Sequence, residues 1–79
     1  MVATIRSKAV DSSVLATVGY DKQRRVLKVR FRNGRIYYYL DVSPAEHAAL
    51  LASTSIGKYF NEVIKPQHRA VRVRAEPAK

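Results

Sequence analysis

Two kinds of side chain in this sequence are equipped for binding chemistry, and they are interleaved. Lys28, Arg30, Arg32 and Arg35 carry fixed positive charge, and Tyr37, Tyr38 and Tyr39 place flat rings within a few residues of them. Cations attract phosphates and rings stack on bases, which is what a single-stranded nucleic acid requires of a surface. Groups able to catalyse a reaction are scarce. His47 and His68 stand alone, with no cysteine and no paired acids, so no metal site is expected. Ser12, Ser13, Ser53, Ser55, His47 and Asp41 form a Ser/His/Asp set only on paper, since no nucleophile-elbow motif frames them. Asp21 and Asp41 read as turn residues flanking strands. Neither catalysis nor a cofactor is expected.

The charge is concentrated. Fifteen Lys and Arg against six Asp and Glu leave a net charge of +9 in 79 residues. Between Asp21 and Asp41 stand Lys22, Arg24, Arg25, Lys28, Arg30, Arg32 and Arg35, and no acid. Such a field attracts polyanions, meaning nucleic acid or an anionic membrane. No apolar stretch approaches the ~20 residues of a membrane span and Met1–Arg6 lacks a signal-peptide core, so a cytoplasmic protein without integral membrane association is expected. The absence of cysteine excludes disulfides and thiolate metal sites.

The element that positions these groups is Val26–Leu40, two alternating segments joined at Asn33-Gly34, a strong hairpin signal. In its first half Leu27, Val29 and Phe31 share one face and Lys28, Arg30 and Arg32 the other. Two turns are open. A two-residue Asn33-Gly34 loop sets Arg30 opposite Tyr37 and Lys28 opposite Tyr39, and leaves the cleaner apolar face. A three-residue loop, Arg32-Asn33-Gly34 with Gly34 left-handed in a bulge, pairs Val29 with Tyr37, Leu27 with Tyr39 and Lys28 with Tyr38. One residue of slip turns the return strand over.

Ahead of the hairpin, Val14–Tyr20 reads as a strand, linked to it by the polar loop Asp21–Arg25. Gly19 within that strand points to a bulge or a close backbone approach. After Val42 the period changes. Ser43-Pro44-Ala45-Glu46 is a capping box with proline at the first helical position, and the helix it opens should end at Ser53–Ser55. A second helix places Ile56, Phe60, Val63 and Ile64 on one stripe and should stop before Pro66. Gly57 in its first turn costs about 1 kcal/mol against alanine. Close packing on the sheet accounts for it more readily than a phosphate seat formed with Lys58. Residues 1–11 read as a flexible leader, 12–68 as the folded domain and 69–79 as a basic disordered tail, in which Val71 and Val73 alternate as a short edge strand would.

In order and spacing, Ser13, Val18-Gly19-Tyr20-Asp21, Leu27-x-Val29-x-Phe31-x-x-Gly34, Tyr37-x-Tyr39, Val42, Ser55-x-Gly57-x-Tyr59-Phe60-Asn61 and Ile64 resemble the KTSC domain. That family is named for its occurrence at the C-terminus of some lysyl-tRNA synthetases and also occurs as free-standing small bacterial proteins. The resemblance implies a suggested RNA-binding role and no established activity, with the family's Tyr-x-Tyr on Tyr37 and Tyr39. This chain departs at Ser43, where the family usually has proline, and at Tyr38, where it commonly has a polar residue. A polar residue there implies the three-residue turn, with Tyr37 and Tyr39 partly in the core, so both registers stay open.

The expected fold is α+β: a three-stranded antiparallel meander followed by two short helices packed on one face, the other face basic. The expected function is low-specificity binding of RNA or single-stranded DNA by a monomer. Arg24, Arg25, Lys28, Arg30, Arg32, Arg35 and Lys58 would meet phosphates, and Tyr37 and Tyr39 would stack. The rival is a protein-interaction module using the exposed sheet face or an edge strand. Adsorption to anionic membrane ranks lower, because the basic residues lie on strands.

Overall fold

In a computed structural model, residues 7–73 are described. They form one antiparallel sheet of five strands in chain order: β1 (Ser7–Ala9), β2 (Leu15–Asp21), β3 (Val26–Phe31), β4 (Ile36–Tyr39) and β5 (Ala70–Val73). Between β4 and β5 come α1 (Pro44–Ala52) and α2 (Ile56–Tyr59), the latter running on through a π-helical turn (Phe60–Ile64) and a last turn (Lys65–Gln67). The α+β class and the central meander hold, but the sheet has two more strands than expected. β1 lies in the segment expected to be a flexible leader and β5 in the expected tail; residues 1–6 and 74–79 lie outside the described ones. β1 is exposed throughout, so it has no apolar alternation to betray it. It exists because the outer edge of β2 has backbone groups to pair.

The hairpin adopts the three-residue turn. Leu27 faces Tyr39, Lys28 faces Tyr38 and Val29 faces Tyr37. Gly34 donates its N–H to the Phe31 carbonyl at 2.9 Å and sits at φ 92, while Phe31 donates to Arg35 at 2.9 Å. That is a tight turn closed by a left-handed bulge residue, and glycine takes this conformation without steric cost. The Asn33 side-chain oxygen accepts the Arg35 N–H at 2.9 Å and holds the loop shut. In β2 the irregularity falls between Leu15 and Thr17 and not at Gly19.

Both bonds of the capping box are made: Glu46 N–H to Ser43 Oγ at 3.2 Å and Ser43 N–H to Glu46 Oε1 at 3.0 Å. The second helix does not stop before Pro66. In the π-helical turn the Lys65 N–H reaches back to the Phe60 carbonyl, and Pro66 stands at the start of the last turn. A residue with no N–H is tolerated where a new turn begins. Leu50 of α1 and Phe60 and Ile64 of the second helix join Leu15, Val18, Leu27, Val29, Tyr39 and Val42 in one core. The helices therefore cover the sheet face that carries Leu27 and Val29.

Candidate nucleic-acid interface

Strand alternation and register sort every candidate residue onto one of two faces. Away from the helices run two rows across the sheet. One is Ser7, Gly19, Lys28, Tyr38 and Val71; the other is Ala9, Thr17, Arg30, Ile36 and Val73. Arg30 is exposed and Tyr38 half-buried, and they are diagonal neighbours on adjacent strands. A diagonal pair lies roughly 7–8 Å apart, within reach of a long side chain and a ring. Lys28 is different: only 7% exposed and already engaged within the protein, it does not offer its charge to solvent as expected. Ile36, on the same face, is 4% exposed.

Tyr37 and Tyr39 are not on this face, which corrects their expected placement beside Lys28 and Arg30. They project to the helix side, as the bulged turn dictates. Tyr39 is 2% exposed and meets Phe60 edge to face at 5.0 Å, so it cannot stack on a base. Its burial, and secondarily the neighbouring Tyr37, hold its hydroxyl pKa above the ordinary value. Tyr37 is half-buried, edge to face with Phe31 at 5.6 Å. Arg35 opposes Phe31 and turns to the helix side as well, where it borders a cavity with Tyr37 and Lys65. Tyr38 is the ring that sequence reasoning left off the site, and only the turn type could have pointed to it.

The other cations are distributed around this frame. Arg24 and Arg25 sit exposed in the β2–β3 loop, which the Asp21 side chain shapes by accepting the Gln23 and Arg24 N–H groups at 3.0 and 3.1 Å. Arg24 also lies 3.9 Å from Asp21, an exposed pair worth little and easily surrendered. Arg32, at the opposite end of β3, donates its Nε to the Ser12 carbonyl at 3.0 Å and ties the hairpin tip to the segment before β2. Lys58 is exposed on α2, beside a groove formed with Ser12 and Ser13, and so lies on the helix side, apart from Arg30. Gly57 has its packing reason: an added Cβ would stand 3.2 Å from Val14 Cβ and 3.0 Å from Ser12 Oγ.

The histidines serve structure. His47 stacks on Tyr20 at 4.4 Å, and burial lowers its pKa. His68 is a joint that sequence reasoning did not foresee. Its Nδ1 lies 2.9 Å from the Leu40 carbonyl and its Nε2 2.6 Å from Glu46 Oε2, clasping the exit of β4, the first turn of α1 and the end of the second helix. The Ser43 N–H bond holds the Glu46 carboxyl below its usual pKa against the opposing push of burial, and His68 adds to the lowering. Among the described residues no group of three or more potential metal ligands gathers, and no helix is long and apolar enough to cross a membrane.

Helices on one face of a five-stranded antiparallel sheet, with a cation and a ring diagonal to each other on the other face, define a small α+β module. The sequence model of the KTSC domain matches residues 11–68, and the chain belongs to that family. A KTSC domain protein from Yersinia pestis has a crystal structure similar to this one, with TM-score 0.85 and 30% identity over 89% of this chain and 99% of that one. A protein of Stutzerimonas stutzeri is 45% identical over 60 residues, covering 76% of this chain and 84% of its own length. One from Tsukamurella paurometabola is 40% identical over 62 residues, 78% of this chain and 92% of its own.

Proposed function

We propose that this protein is a non-enzymatic module that binds RNA or single-stranded DNA with low sequence specificity on the helix-free face of its sheet, in the cytoplasm and as a monomer. The observation that carries the reading is the placement of exposed Arg30 diagonal to half-buried Tyr38 on that face. Arg30 meets phosphate and Tyr38 stacks on a base. Arg24 and Arg25, in the loop that leads into the same strand, lengthen the cationic track, and the net charge of +9 steers a polyanion toward it. Lys28, on the same face but 7% exposed and engaged within the protein, is not a phosphate contact. Lys58, Arg35, Tyr37 and Tyr39 are not part of it.

Fluorescence anisotropy of a labelled single-stranded RNA, at two salt concentrations, tests the reading. Each phosphate neutralised contributes about 0.7 to the slope of log K against log salt for a single strand. Arg30→Gln should reduce that slope, whereas Tyr38→Ala should weaken binding by the ~1–3 kcal/mol of one stacked base and leave the slope alone. Absence of binding at low salt removes the proposal. The second reading, a protein-interaction module, draws on β1, an edge strand exposed along its length, and on Val71 of β5, 45% exposed at the opposite edge. Retention of a protein partner by Arg30→Gln in the absence of RNA affinity would favour it.

A further inference from the structure

On the helix side, at the end of the sheet where β3 turns into β4, a cavity of about 420 Å³ is lined by Phe31, Tyr37, Tyr39, Asn33, Arg35 and Lys65. Its wall is aromatic. Tyr37 packs against Phe31 at 5.6 Å with their planes 82° apart, and against Tyr39 at 6.3 Å. Phe60 fills the core side of this cluster, meeting Phe31 at 5.6 Å and Tyr39 at 5.0 Å, so Phe31 and Tyr37 are left half-exposed toward the cavity. Its rim is cationic. Arg35 and Lys65 are both exposed, and no acidic side chain is among the described residues that line the space. Arg72 opposes Tyr37 on the neighbouring strand and adds to the positive field on this face.

We propose that this cavity is a binding site for a nucleoside 5′-phosphate group, its base against the Phe31/Tyr37 wall and its phosphate between Arg35 and Lys65. A flat ring covers exposed aromatic surface, and an anion carried on that ring answers two cations in a space that no acidic side chain among the described residues lines. The volume lies within the ~300–1,000 Å³ of small-ligand sites. A neutral ring leaves the cations unanswered, and inorganic phosphate leaves the wall uncovered, so the site requires both halves in one molecule. That chemistry belongs equally to a free mononucleotide and to the 5′-phosphorylated end of a strand. The site lies on the opposite face from Arg30 and Tyr38, so its existence does not depend on the sheet surface binding nucleic acid.

Two-dimensional NMR titration of the full chain with AMP, adenosine and inorganic phosphate tests the site. AMP should shift the amide signals of Arg35, Tyr37 and Lys65, and adenosine and phosphate should each bind more weakly. Arg35→Gln and Lys65→Gln change exposed side chains, so they should keep the fold while weakening AMP roughly two- to fivefold each, the range of an exposed charge pair. Lys22→Gln, the same loss of charge in the distant β2–β3 loop, should leave AMP affinity unchanged. Competition with a 5′-phosphorylated and a 5′-hydroxyl RNA oligomer identifies the source: displacement by the first alone assigns the site to strand ends, and displacement by neither assigns it to free nucleotide. No shift with AMP up to millimolar concentration, equal shifts with phosphate alone, or indifference to both glutamine variants would each overturn the proposal.

Discussion

Replacing Gly57 with alanine sets two effects of known sign against each other. Gly57 lies in the first turn of α2 without a positive φ, so helix propensity alone favours alanine by about 1 kcal/mol. The new Cβ would stand 3.2 Å from both Val14 Cβ and Val14 Cγ2, and 3.0 Å from Ser12 Oγ. Carbon contacts are best at about 3.5–4.0 Å, so the neighbours would have to retreat by roughly half an ångström. Neither gives easily. Ser12 Oγ accepts the Val14 and Leu15 N–H groups, each at 3.1 Å, and the Val14 carbonyl accepts the Arg32 N–H at 3.0 Å. Overpacking against so constrained a site costs about 1–3 kcal/mol, which leaves a net destabilisation of about 0–2 kcal/mol after the propensity gain. For a domain this small, each 1 kcal/mol lowers Tm by roughly 4–8 °C. Thermal melts followed by circular dichroism would measure it, and urea titration would check that the m-value is unchanged. In a Val14→Ala background, which removes one of the contacts, the cost of Gly57→Ala should shrink. A Gly57→Ala protein that melts several degrees above wild type would refute the close approach, because only propensity would then be acting.

Phe60→Ala empties the centre of the aromatic cluster, and at about 3–5 kcal/mol it should consume much of the stability of a domain this size, read as a large fall in the urea midpoint. Glu46 has a folded-state pKa below its ordinary 4.5, so its contribution is present above that pH and fades as pH falls through the folded value; Glu46→Gln should flatten this acid limb in pH-dependent urea titrations. Tyr39 has the opposite sign. Its pKa is raised above 10.0, so its contribution holds below pH 10 and is lost as pH climbs toward the folded value, and Tyr39→Phe should extend stability into alkali when melts are compared above pH 10.

The parts of the fold legible in the sequence are those whose causes are local. Ser43 and Glu46 satisfy each other's backbone groups three residues apart, so the start of α1 is written in four letters. The stripe Ile56, Phe60, Val63 and Ile64 announces the second helix for the same reason, and Phe60 and Ile64 are fully buried. Of the two edge strands the first was hidden and the second only hinted at by Val71 and Val73, because an edge strand is specified by its partner. Ser7–Ala9 is exposed and carries no pattern, and Val71 and Val73 alternate within a stretch whose composition reads as a tail. Pro66 misled because the π-helical turn before it could not be foreseen, and a proline that ends a regular helix can open a new turn after such a turn.

The candidate site was legible in composition but not in placement, and the reason is one residue of register. Two adjacent cation and tyrosine sets cannot share a face when side chains alternate, so whichever turn forms must divide them. A two-residue loop would have set Tyr37 and Tyr39 beside Arg30 and sent Tyr38 into the core. The observed bulge at Gly34 does the reverse, leaving Tyr38 with Arg30 on the sheet face and Tyr37 with Arg35 at the helix-side cavity. The apolar pattern alone preferred the other register because that register sends Ile36 and Leu40, with Tyr38, to the core face. Tyr39 satisfies the core as a hydrocarbon ring packed on Phe60, so that preference carried no weight. Gly34 holds φ 92 in the observed turn, and the two-residue type I′ loop would also demand a positive φ there, so a β-branched residue at this position would strain the hairpin in either register and destabilise the geometry that divides the two faces.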